Sequence, residues 1–202
     1  MSGSQWSRIA TSGLVVILSS GVAAAAEQPP ADMAAAKAFF LVMEEKFNTF
    51  ANKPLSFNDT RKAKAIIDGV ITAANSLADQ YAKLWQYKDA TWTLASLLRR
   101  ADLYDAFAQK LIRAADNPPF EIKELGKKAC RVDPKLCGAA ETQYKDAILP
   151  FVTPVQEKAR DGWRSTIDRA AVLGITNDYV EAARQNLSRS FAKRERIGVD
   201  FP

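Results

Sequence analysis

The stretch from Trp92 to Ile112 restricts the fold of this chain more than any other. Leu94, Leu97, Leu98, Ala101, Tyr104, Ala108, Leu111 and Ile112 recur at steps of three and four residues. At 3.6 residues per turn they form one apolar stripe on a helix of more than five turns. Arg99, Arg100, Asp102, Asp105, Lys110 and Arg113 fall mostly off that stripe. Such a helix must bury the stripe against neighbouring helices. No run in the chain alternates convincingly in the two-residue period of a strand.

The flanking stretches supply the neighbours. A first helix is expected from about Ala31 to Asn52, with Ala36, Phe39, Phe40, Met43, Phe47 and Phe50 on one face. Asn52-Lys53-Pro54 ends it, because proline disfavours helix in the residue before it. Asn58 or Asp59 can cap a second helix carrying Ala63, Ile67, Val70, Ala74, Leu77, Tyr81 and Leu84. Gly69 lies inside it, and close helix–helix approach is the expected reason. Lys88-Asp89 reads as a turn, with Asp89 capping the central helix. Asp116-Asn117-Pro118-Pro119 stops that helix, and a short one is expected from Phe120 to Ala129.

Gly138 opens the longest helical tract, to about Leu173. Pro150 and Pro154 interrupt it, each removing a helix N–H and crowding the preceding turn. A kink or a break is expected between Leu149 and Thr153, with Thr153 a candidate cap and Pro154 at the first helical position. Leu173-Gly174 stops the tract. Thr176 or Asn177 caps a last helix, whose basic run Lys193-Arg194-Glu195-Arg196 suits the negative end of its dipole. The fold class read from these patterns is all-α: an antiparallel bundle or tetratricopeptide-like α–α hairpins, five to seven helices after a leader.

That leader is residues 1–26, which read as a secretory signal peptide. Arg8 precedes the apolar region that opens at Leu14 to Leu18, and Ala24-Ala25-Ala26 forms a small-residue cleavage site before Glu27. The apolar run is shorter than the ~20 residues of a spanning helix, so no stable membrane insertion is expected after cleavage. Residues 27–202 are left as a single helical domain, in the periplasm or secreted. Hydrophobic residues at 48% are ample for its core.

The formal charge of +5 is mild and scattered, without a basic arm or a reader module, so nucleic acid is not an expected partner. Histidine is absent, which excludes Ser-His-Asp and Cys-His nucleophile systems and His-containing zinc sites. Two cysteines are too few for an all-Cys zinc site, and no metal or cofactor is expected. Cys130 and Cys137, flanking an Asp-Pro turn in an exported chain, are expected to pair. A redox pair is the alternative, but the spacing is not C-x-x-C.

Trp92-Thr93-Leu94-Ala95-Ser96-Leu97-Leu98-Arg99-Arg100, continuing through Tyr104 and Phe107-Ala108, is one distinctive stretch. Another is the segment from Pro154 to Leu187, with Lys158-Ala159, Trp163, Ala170, Leu173-Gly174, Asn177 and Ala182. Together they resemble the C-terminal helical region of tetratricopeptide-repeat proteins exported by delta-proteobacteria, some linked to adventurous gliding motility. Residues 154–192 then read as a degenerate terminal repeat, with an aromatic, an alanine seven residues later and a Leu-Gly turn. No series of 34-residue repeats precedes it, which favours a capping or stand-alone module over a solenoid. The resemblance implies protein–protein contact and supplies no catalytic residues.

Trp85, Trp92 and Trp163 are candidate partner anchors, since aromatic residues are enriched at interface hot spots, with burial in the core as the competing reading. Arg99 and Arg100 are candidates for gripping a carboxylate or phosphate, against ordinary pairing with Asp102 and its neighbours. Glu44-Glu45 and Glu121/Glu124 are the carboxylate pairs that acid–base chemistry would need, but at these spacings they read as solvated faces. The expected function is a non-enzymatic periplasmic adaptor that holds another envelope protein. The alternatives are a helical carrier of a small apolar or anionic ligand and a carboxylate enzyme.

Overall fold

A computed structural model describes residues 31–55, 57 and 62–197, with side chains from residue 33 to residue 191. The leader, its cleavage site, the Asn58 and Asp59 caps and the basic run near residue 195 lie outside the described backbone or side chains. Among the described residues there are seven α-helices and no strand. They are α1 (Ala31–Asn52), α2 (Ala63–Ala82), α3 (Ala90–Asp116), α4 (Phe120–Val132), α5 (Ala139–Ile148), α6 (Val152–Leu173) and α7 (Asp178–Ile197). No helix among them is long and apolar enough to cross a membrane.

Helix α3 begins where Asp89 accepts the Trp92 N–H at 2.9 Å, the cap expected from its position. It supplies buried residues to all four apolar clusters: Leu94 to one, Ala95 and Leu103 to another, Leu98 and Ala101 to a third, Phe107 and Leu111 to the last. Around it run α2, α1, α7 and α6 in that order. Helices α1 and α2 touch, α6 and α7 touch, and the Phe40 and Tyr179 rings join α1 to α7 at 6.1 Å. Helix α5 packs its Tyr144 and Ile148 with Phe107 and Leu111, and α4 packs on α5.

This surround corrects the single-stripe picture. Asp102 and Lys110 are buried, although both lie off the apolar stripe. A helix covered on most sides has too little solvent face for all its charges, so those facing neighbours must find partners. Lys110 finds them at the C-terminal end of α1, where its Nζ donates to the carbonyls of Phe50 and Lys53. Those carbonyls have no helical partner, and a cation there also suits the helix dipole. Buried Ser96 likewise donates to the Tyr81 carbonyl, at 2.9 Å.

The glycine reading is also corrected. A Cβ built on Gly69 meets nothing within 4 Å among the described residues, so no close approach explains it. The close approach is at Gly162 of α6, where a Cβ would lie 2.7 Å from the Ala101 Cβ. The prolines break the long tract rather than kink it. Helix α5 ends at Ile148, Leu149–Phe151 form a 3-10 turn, and α6 starts at Val152. Thr153 and Pro154 fall inside the first turn of α6, and the cap position is Phe151, whose side chain caps nothing. Pro154 is tolerated there because its missing N–H belongs to the first turn, which has no helical acceptor. The short helix also runs on past Ala129 to Val132.

Cys130, near the end of α4, is joined to Cys137 in the turn before α5, with Cα atoms 4.3 Å apart. Gly174 closes α6 in a left-handed conformation, with φ of 65°. The Asn177 side chain then accepts the Tyr179 and Val180 N–H groups, starting α7.

Candidate functional site

The polar residues of this fold divide into an internal network and a surface cleft. The network begins at Arg99, whose Nε and Nη2 grip the Glu44 carboxylate of α1, the closest contact being 2.6 Å. Its Nη1 reaches Asp102 at 2.9 Å. The Tyr81 hydroxyl donates to Glu44 at 2.8 Å. Asp102 also accepts the Trp163 indole N–H at 2.9 Å and the Asn186 amide at 3.0 Å. One connected set of side chains thus links α1, α2, α3, α6 and α7.

Burial sets the electrostatics of this network. It opposes the charge on Arg99, but the hydrogen bonds and charges of Glu44 and Asp102 outweigh it and hold the guanidinium protonated above its ordinary range. Burial, helped by the Glu44 hydrogen bond and charge, pushes the Tyr81 hydroxyl far up, so it stays a proton donor. Burial also raises the Asp102 carboxyl, against the lowering effect of Trp163, Arg99 and Asn186. Glu44 and Asp102 are held by Arg99 between them and both lie largely out of solvent. Glu45 and Glu121 point outward, and Glu124 pairs with Lys127 at 2.7 Å.

The cleft lies on the opposite side of α3. Over that side of α3 the helices α2 and α6 meet only sparingly. Lys158 of α6 reaches Asn75 of α2 at 3.2 Å across one end of the gap. Tyr104 of α3 donates to the same Asn75 oxygen at 2.9 Å, beneath the Lys158 ammonium, which stands 4.2 Å from the ring centre. Two hollows of about 520 and 590 Å³ share Leu97 and Ser165, so they form one furrow. Its far end is bounded by Trp85, Arg169 and Leu173. Trp85 is 44% exposed, and the Arg100 guanidinium lies 5.2 Å from its ring centre.

The five candidate anchors therefore separate. Trp85 and Arg100 meet on the cleft wall. Trp163 is only 3% exposed and cannot offer its ring to a partner in this fold, since its N–H is needed by buried Asp102. Trp92 is half-buried against Phe40, with ring centres 5.3 Å apart. Arg99 is held by Glu44 as well as by Asp102, three residues on. Sequence reasoning missed Leu97 as cleft floor, together with Lys158, Arg169 and Leu173. Leu97 belongs to the apolar stripe, and periodicity alone does not say which stripe position the neighbours leave uncovered. Among the described residues, no three acidic or cysteine side chains cluster as a metal site would require. Comparison with family models, curated proteins and solved structures finds no match to this chain.

Proposed function

We propose that this chain is an exported, non-enzymatic helical adaptor of the bacterial cell envelope, which holds another envelope protein in the furrow over α3. The observation that carries this reading is the furrow itself, which leaves Leu97, Trp85 and Leu173 open beside Arg100. Aromatic and arginine side chains around an apolar floor are the composition of an interface centre. A furrow bounded by two helices is the receptor half of helix-in-groove recognition. Its open form suits a macromolecule better than the enclosed pocket a small-ligand carrier needs. The pattern of residues 1–26 and the Cys130–Cys137 bond support export to an oxidising compartment. The α6–α7 hairpin, with Trp163 and Ala170 buried and Gly174 at the turn, supports the likeness to a terminal tetratricopeptide unit and a motility-related role.

In-cell crosslinking of the tagged chain, followed by mass spectrometry, tests the reading. A discrete envelope protein should be captured, and Trp85→Ser or Leu173→Asp should abolish its capture without changing the melting temperature. Capture that survives both substitutions would place the partner elsewhere and end this assignment of the furrow.

A further inference from the structure

We infer that the segment taken by the furrow is an acidic amphipathic helix, one of whose carboxylates is received by Arg100 against the Trp85 ring. This inference rests on the adaptor reading and specifies the chemistry of the partner. Lys88, Arg100, Lys158 and Arg169 line the furrow, against Asp79 and Asp161. Asp161 already pairs with Arg164 at 3.0 Å, which leaves the lining more basic still.

Whereas Lys88, Lys158 and Arg169 are exposed, Arg100 is half-buried. No ion pair joins it to a carboxylate among the described residues, in contrast to its neighbour Arg99. Its Nε is buried without a hydrogen-bond partner. The guanidinium carbon lies over the Trp85 ring, 5.2 Å from its centre, and the two Nη groups are the fork that can meet a planar, bidentate acceptor. A carboxylate fits that fork. The apolar floor of Leu97 and the Leu173 rim require aliphatic side chains beside the acid, which a polyphosphate chain lacks. From Lys158 to Leu173 the α6 wall spans about 22 Å at 1.5 Å per residue, room for roughly four turns of a bound helix.

The test uses two fluorescent peptides of about 18 residues. They share leucines at helical spacing and differ only in carrying glutamates or lysines beside them. Binding to the full chain is read by anisotropy. The glutamate peptide should bind about tenfold or more tighter than the lysine peptide, and Arg100→Gln should remove most of that difference. Arg100→Lys should restore it only in part, because an ammonium lacks the fork. If Arg100→Gln unfolds the chain, Arg169→Gln at the exposed rim should narrow the same difference by a smaller factor. Equal binding of the two peptides, binding of neither, or a preference indifferent to both glutamine variants would overturn the inference. Continued loss of crosslinked partner in Leu173→Asp, alongside any of those results, would leave the adaptor reading standing and remove only its acidic occupant.

Discussion

The Trp163 indole N–H donates to the Asp102 carboxylate at 2.9 Å, across the contact between α6 and α3. Asp102 is buried, so each donor it loses leaves a charged oxygen without the water that would otherwise solvate it. Trp163→Phe keeps most of the ring and removes that donor. It should destabilise the fold by about 1–3 kcal/mol, read as a lower urea midpoint at an unchanged slope. Capture of a partner should persist at temperatures where the variant is folded. An unchanged midpoint would mean that Asn186 and Arg99 suffice for Asp102.

Asp102 also gives the network a sign in pH. Burial raises its carboxyl above the ordinary value of 3.8, so the native state binds this proton more tightly than the unfolded chain does. Its contribution to stability is then greatest at low pH, and declines as pH rises from the unfolded value through the raised native one. Asp102→Asn cannot titrate. The stability of the natural chain minus that of the variant should therefore shrink as pH rises above about 4, measured by urea unfolding at several pH values. A difference that grows with pH would mean that Arg99 and the two hydrogen-bond donors outweigh burial in the folded protein.

Much of this architecture is legible in residue spacing, because a helix stripe depends only on local periodicity. The α3 stripe, the Asp89 and Asn177 caps and the Gly174 stop are of this kind. The partners of Arg99 were half legible. Asp102 is three residues away, whereas Glu44 lies on another helix, and nothing local marks one of two adjacent glutamates as the inward one. Asp102 and Lys110 lie off the apolar stripe, and periodicity does not reveal that they are buried, because a helix enclosed by neighbours covers more than its stripe. The furrow was not legible at all, since it is defined by how sparingly α2 and α6 meet over α3.

Gly162 illustrates the same limit and gives a direct test. Position 162 sits against Ala101, with the built Cβ 2.7 Å from the Ala101 Cβ and 3.2 Å from its Cα. Neither atom belongs to a flexible side chain that can swing away, so an added methyl must push α6 from α3. Gly162→Ala should gain helix propensity of about 1 kcal/mol, yet lose roughly 1–3 kcal/mol to overpacking. Gly69→Ala carries the propensity gain alone, because nothing described lies within 4 Å. Thermal melts of the two variants should move in opposite directions, Gly69→Ala upward and Gly162→Ala downward. A rise for both would show that the α3–α6 crossing relaxes at little cost.

The Cys130–Cys137 bond should act locally. It closes a turn between residues seven apart, and the chain-entropy model assigns a loop of that size about 2–3 kcal/mol. Helix α4 packs mainly on α5 and the intervening turn, while α3 is held by α1, α2, α6 and α7 independently of the bond. Reduction should therefore release the α4–α5 hairpin before the rest of the fold. Hydrogen exchange with and without reductant separates the cases. Amides of α4 should exchange faster by roughly 30- to 150-fold, the equivalent of that free energy, while those of α3 between Leu94 and Leu111 change little. Cys130→Ser with Cys137→Ser should reproduce the pattern without reductant. Uniform acceleration across α3 would mean that the hairpin and the central helix unfold as one unit, and that the bond stabilises the whole core through Tyr144 and Ile148.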